Sequence, residues 1–196
     1  MPFPSPHIEY GSGHLFVDGL TAEEIADLAG TPTYAYSASE IRDRFSRLAS
    51  AFGPLRPLLC YALKACGNLH ICRLLAGLGA GMDVVSGGEL ERAWLSGAPM
   101  DRVTFAGVGK TEDEIRAALD GRHSPLMGTI PGLDPASRGQ VGRFNVESEQ
   151  ECLRIARIAS ELGVRARASL RVNPDVDAKT HKYTTTGKKE NKFGID

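Results

Sequence analysis

Two periods of hydrophobicity succeed each other along most of the chain: short apolar runs, then stretches with an apolar residue every three or four positions. The alternation is most regular from Leu58 onward. An apolar run from Leu58 ends at Lys64 and precedes a helix over about Leu69 to Leu78; Met82 to Val85 precedes a helix from Glu89 to Ser96. Val103 to Ala106 then precedes a helix opened by the capping box Thr111-Glu-Asp-Glu114, and Gly79, Gly97 and Gly121 close the three helices. Strand and helix alternating every twenty residues or so predict parallel strands joined by right-handed crossovers. Most of these strands read as apolar runs without polar alternation, as expected where both faces of a sheet are covered.

Upstream, residues 1–20 are turn-rich and predict one strand at most, around Leu15-Phe-Val17. Thr21-Ala-Glu-Glu24 caps a short helix closed by Gly30, Thr33 to Tyr36 reads as a strand, and Ser37-Ala-Ser-Glu40 opens a helix with Ile41, Phe45, Leu48 and Phe52 on one face. Downstream, Arg122 to Gln140 breaks the rhythm and reads as a surface insertion, with a further short strand near Leu126. The pattern resumes with a strand over Gly142 to Val146, a helix capped by Ser148 and Glu151 and ended by Gly163, and a strand over Arg165 to Asn173. That last strand places Arg165, Arg167, Ser169 and Arg171 on one face.

Five or six parallel strands follow Leu58. A (β/α)8 TIM-like barrel needs eight. The expected fold is therefore α/β, an incomplete barrel truncated before closure over residues 31–196, with residues 1–30 forming a segment outside it.

Composition narrows the picture modestly. A length of 196 residues, 42% hydrophobic and 24% charged, suits a globular domain, and a formal charge of -1 asks for no nucleic acid or other polyanion. Cys60, Cys66, Cys72 and Cys152 form no CxxC pair, so neither a metal site nor a disulfide framework is suggested. The start carries no signal-peptide pattern and no apolar run reaches membrane-spanning length, which gives the expectation of a cytoplasmic protein.

The chemistry concentrates at Lys64. Of seven lysines only Lys64 and Lys110 precede Lys179, whereas all sixteen arginines do. Strand alternation puts Lys64 on the face of Ala62, Cys60 and Leu58, at the end of an apolar run where loss of hydration prepares an amine for covalent catalysis. The plain alternative is a strand-end lysine reaching to solvent.

Five segments in order, Tyr61-Ala-Leu-Lys-Ala65, Gly81-Met-Asp-Val-Val-Ser-Gly-Gly-Glu-Leu90, Phe144-Asn-Val-Glu-Ser148, Arg171-Val-Asn-Pro174 and Thr180 to Ile195, resemble the amino-terminal part of diaminopimelate decarboxylases. These belong to the alanine-racemase-like, fold-type III enzymes that use pyridoxal 5'-phosphate. The resemblance implies that Lys64 carries the cofactor through a Schiff base and that Asp83 and Glu89 lie near it. A strand residue paired with a helix N-terminus is the alternative for Asp83, and a plain first-turn acid for Glu89. His181, Thr186, Gly187 and Lys192 fall in a lysine-rich loop whose composition suits a lid meeting a dicarboxylate, or simply a solvated basic loop.

Two departures touch substrate tuning: Cys66 stands where Asn is common, and Thr184-Thr-Thr-Gly187 where Ile-Ser-Thr-Gly is usual. The family's ring-stacking histidine, glycine-rich phosphate loop, acid that pairs with the pyridine nitrogen, and proton-donating cysteine come later than residue 196. The implied activity is decarboxylation of meso-2,6-diaminopimelate to L-lysine by a homodimer, with little or no activity in these residues alone. The rivals are a related arginine, ornithine or carboxynorspermidine decarboxylase, or an inactive fragment serving as an interaction partner.

Overall fold

A computed structural model describes residues 5–123, 138–176 and 194–195. The chain divides into two compact units, Met1–Pro57 and Leu58–Asp196. Residues 31–57, which the sequence pattern grouped with the barrel, fall in the first unit by this division.

The first unit holds a three-stranded antiparallel meander where one strand was expected: β1 (Ile8–Gly11), β2 (His14–Val17) and β3 (Leu20–Thr21). Its hairpins turn on Ser12-Gly13 and Asp18-Gly19, with φ of 52° and 84°, and 49° and 84°. Two successive left-handed residues match the twist of the flanking strands, and Gly takes the second position in each pair. These Ser-Gly and Asp-Gly signals were present in the sequence. The helix α1 (Ala22–Ala29) begins at the Thr21 capping box and ends at Gly30, as expected. Thr33 to Tyr36, expected as a strand, joins neither sheet among the described residues. Ser37 caps α2 (Ala38–Ala51), but only half of the predicted box forms, because Glu40 accepts from Ser5 Oγ and from Arg44 Nε instead.

The second unit is a parallel sheet in strictly sequential order: β4 (Cys60–Ala62), β5 (Gly81–Val84), β6 (Val103–Phe105), β7 (Arg143–Val146) and β8 (Ala168–Leu170). The helices α3 (Leu69–Gly77), α4 (Gly87–Leu95), α5 (Glu112–Leu119) and α6 (Glu149–Leu162) alternate with them. Beyond β8, Val172 forms a parallel bridge to Ile195, so a sixth strand position has begun. This is an incomplete βα barrel. The strand expected near Leu126 lies outside the described residues.

One face of the sheet is closed by helices. Met82, Val84, Val103, Phe105, Phe144 and Val146 are fully buried, as are Leu90, Ala93, Ile115, Ala118 and Ile158 from the helices. The Phe105 and Phe144 rings stack at 6.0 Å across adjacent strands. Between these residues, Asp83, Thr104, Asn145 and Ser169 are only half-buried and share the other face by register. The strands therefore alternate after all. The expectation of apolar runs on both faces fails, because their polar residues face the opposite side, where the site lies.

Two glycines at strand starts exist for space. A Cβ on Gly142 would meet the Asp101 carbonyl, whose carbon would be only 2.8 Å away, and one on Gly81 would meet Cys60 Sγ at 2.8 Å. Replacing Gly142 with Ala is expected to cost about 2 kcal/mol or more through displaced backbone. Gly77, at the end of α3 with nothing within 4 Å of its would-be Cβ, should instead gain about 0.5 kcal/mol on change to Ala. Urea denaturation of the two variants checks the opposite signs.

Candidate active site

Among the described residues, Lys64, Asp83, Glu89 and the charged groups around them sit at the C-terminal ends of the strands, in the loops that follow or in the first turn of the next helix, which is where βα barrels carry their chemistry. Lys64 stands two residues past β4, inside a turn in which the Ala65 N–H donates to Ala62 O at 3.1 Å and Tyr61 Oη donates to Cys66 O at 3.0 Å. Leu63 is buried and Lys64 is exposed, so the predicted facing is observed, while the predicted burial of Lys64 is not.

Asp83 lies on β5 beside Ala62 of β4, and the charge of Lys64, two residues beyond Ala62, acts on it. Burial raises its carboxyl above the ordinary range, the Lys64 charge opposes that rise, Glu89 adds to it and Arg171 opposes it. Asp83 is thus a half-buried acid addressed by two cations. Glu89, the third residue of α4, turns one oxygen to the Val85 N–H at 2.8 Å while Ser86 caps the helix from 3.3 Å. Its carboxylate completes the β5–α4 turn and adds negative charge near Asp83.

The same device recurs around the rim. Glu114 of α5 accepts from the Thr111 N–H at 2.9 Å and from the N–H of Gly87, the first residue of α4, at 2.6 Å. Burial alone would raise its carboxyl; those N–H groups, the Thr111 hydroxyl and Lys110 outweigh burial and hold it below the usual value. Glu151 of α6 accepts from the Glu147 N–H at 3.1 Å and from Lys110 Nζ at 2.6 Å. Lys110, buried, also donates to Gly107 O at 2.6 Å and Asn145 O at 2.9 Å, so its three protons are all placed. Glu147, buried, accepts from Arg171 Nη1 at 2.9 Å and from the Gly194 N–H at 3.0 Å. Loop is clasped to loop by carboxylates that the fold has desolvated.

The structure brings together Lys64, Asp83 and Glu89. His181, Thr186, Gly187 and Lys192 lie outside the described residues. Sequence reasoning missed the roles of Lys110, Glu114, Glu147 and Arg171. The signal for the glutamates was there in Ser86-x-x-Glu89, Thr111-x-x-Glu114 and Ser148-x-x-Glu151, three capping patterns at corresponding places in successive repeats.

An exposed amine just past the end of one strand of a sequential parallel sheet, acting on a half-buried carboxylate of the adjacent strand, is an arrangement that can hold an aldehyde cofactor on a lysine in a βα-barrel. The chain belongs to the pyridoxal-dependent decarboxylases: the model of their pyridoxal binding domain matches residues 38–196. It is 44% identical over 192 residues to the diaminopimelate decarboxylase of Aquifex aeolicus, covering 98% of this chain and 41% of that protein. Against the Pseudomonas aeruginosa enzyme of the same name the identity is 46% over 187 residues, covering 95% and 40%.

Among solved structures, the diaminopimelate decarboxylase of M. jannaschii in complex with L-lysine superposes with a TM-score of 0.80 at 38% identity, covering 97% of this chain and 41% of that one. A Chlorella virus arginine decarboxylase, 17% identical with a TM-score of 0.54, shares the fold. The chain spans about two fifths of the curated relatives' length. No helix among the described residues is long and apolar enough to cross a membrane. The cofactor implied is pyridoxal 5'-phosphate, and the residues present fit it: Lys64 offers an accessible amine and Asp83 a carboxylate whose field reaches that amine.

A carboxyl raised by folding binds its proton more tightly in the folded state, so it favours folding at low pH and loses that contribution as pH rises through the folded value. Changing Asp83 to Asn is therefore expected to stabilise the protein at pH 7. The gain should shrink as pH falls toward 4, which denaturation curves at several pH values will show.

Proposed function

We propose that the protein of which this chain forms part decarboxylates meso-2,6-diaminopimelate to L-lysine. The arrangement of Lys64 and Asp83 on adjacent strand ends carries the reading, together with relatives of that activity at 44% and 46% identity. Lys64 holds the cofactor through its amine. Bound there, pyridoxal phosphate acts as the electron sink that accepts the electron pair left when a carboxylate departs as carbon dioxide. Asp83 as its anion would favour positive charge on the Lys64 nitrogen. Half-burial strengthens that field relative to an exposed pair. Glu89, committed to the Val85 N–H, shapes the turn that presents Asp83 and contributes through charge.

The substrate's second amino-acid end must be met by polar groups away from Lys64, and His181, Thr186, Gly187 and Lys192 are proposed for that. The protein works in the cytoplasm on a free amino acid, and its full-length form is proposed to be a homodimer.

Carbon dioxide release by the full-length protein should be measured with meso- and LL-diaminopimelate, arginine and ornithine. Turnover is expected with the meso compound, at least about a hundredfold above the other three, the discrimination expected where buried polar groups must be matched. Arginine or ornithine as the better substrate would overturn the assignment. Changing Lys64 to Ala should bring the rate down to background.

A further inference from the structure

Six residues join the end of β4 to the start of α3, and Lys64 is the second of them. The residues on both sides of it are tied down. Before it, Leu63 is buried and its N–H donates to Asp83 O on β5 at 3.0 Å; just after it, the Ala65 N–H donates to Ala62 O at 3.1 Å. Two successive carbonyls then accept from side chains of different elements. Cys66 O takes the Tyr61 hydroxyl at 3.0 Å, and Gly67 O takes Arg92 Nη1 at 3.0 Å. Tyr61 is the half-buried middle residue of β4, whereas Arg92 stands on α4, three residues after Glu89. The stem of Arg92 lies over Gly67, with its Cδ 3.4 Å from where a Cβ would be. Asn68 finally caps α3 by accepting from the His70 and Ile71 N–H groups at 2.9 and 3.4 Å.

Carbonyls of a surface connection can be satisfied by water. Bonding two in a row to a strand side chain and to a helix side chain does something further: it holds their peptide planes in place. Lys64 keeps an exposed side chain between these fixed points. A lysine amine rides on a flexible four-carbon stem, so the volume it sweeps is set by how firmly its backbone is rooted.

We propose that Tyr61 and Arg92 are positioning residues for Lys64: by holding the Cys66 and Gly67 carbonyls they fix the root of its stem and aim its amine at the aldehyde carbon of the cofactor. The inference deepens the reading of Lys64 as the cofactor's attachment point and rests on it. Attachment joins the Lys64 nitrogen to the aldehyde carbon and releases the aldehyde oxygen as water, with nothing oxidised or reduced. A fixed root raises the share of conformers in which the two atoms meet.

The experiment compares two ligands on full-length apoprotein. Pyridoxal 5'-phosphate can join Lys64; pyridoxine 5'-phosphate, with an alcohol in place of the aldehyde, cannot. Tyr61→Phe removes one oxygen, and Arg92→Met keeps a long stem without its donors. Each variant is expected to weaken pyridoxal 5'-phosphate, followed by the visible absorbance of its adduct, about five- to tenfold, the scale of one lost hydrogen bond. Pyridoxine 5'-phosphate, followed by equilibrium dialysis, should stay within about twofold, because its binding asks nothing of the amine. Without any ligand, hydrogen exchange in the peptide spanning Lys64 should quicken in both variants.

An unchanged affinity for pyridoxal 5'-phosphate in Tyr61→Phe overturns the proposal, and so does an equal loss for both ligands, which would make the brace a general support of the pocket. Should Tyr61→Phe not fold, Arg92→Met, at an exposed position, decides by the same two criteria. A wild-type protein that forms no adduct on Lys64 sinks the cofactor reading and the proposal with it, whereas a wild-type adduct with unaltered variants sinks the proposal alone.

Discussion

The backbone N–H groups exposed where parallel strands give way to helices must find acceptors, and this chain supplies them with glutamates from the first turn of the next helix. Glu89, Glu114 and Glu151 each reach back to an N–H just before their helix, and Glu114 also reaches the first N–H of helix α4 in the preceding repeat. Lys110 then bonds to both Asn145 O and Glu151, and Glu147 to Arg171. The result is a continuous belt along the C-terminal edge of the sheet. Because the belt fixes the loops, side chains that emerge from strand ends keep their positions, which is what preorganisation of a site requires. Buried carboxylates are costly unless bonded, so removing any one member leaves a partner stranded.

That belt explains how a single strand can serve two ends. Met82 and Val84 point into the helix-covered core while Asp83, between them, faces the other way. The apolar pair anchors β5, which packs against α4, in the core and thereby fixes the strand that carries Asp83. Half-burial keeps Asp83 responsive to charges around it: Lys64 and Arg171 pull its carboxyl one way, burial and Glu89 the other. The site is poised by opposed effects of known sign.

Much of this was legible in the sequence. The order of strands and helices from Leu58, the caps at Thr21, Ser37, Thr111 and Ser148, and the facing of Lys64 against Leu63 all follow from periodicity and capping rules. The meander at residues 8–21 was missed because its strands are short, although Ser12-Gly13 and Asp18-Gly19 marked the turns. Thr33 to Tyr36 has strand composition but joins neither sheet among the described residues, because composition alone does not set pairing. The double duty of the capping glutamates was hidden for a different reason. A local motif names the nearest N–H, whereas the second contact of Glu114 is set by how adjacent repeats pack. Lys64 ends an apolar run, yet it is exposed together with Leu58 and Cys60, because apolar neighbours along a chain need not be neighbours in space.

The central claim is that Lys64 joins the cofactor covalently. Sodium borohydride reduction of the full-length protein incubated with pyridoxal 5'-phosphate, followed by peptide mapping by mass spectrometry, tests it directly. The account predicts one stable phosphopyridoxyl adduct on the peptide containing Lys64, absent in Lys64→Ala. An adduct at Lys110 or scattered over surface lysines, with Lys64 unmodified, would contradict it.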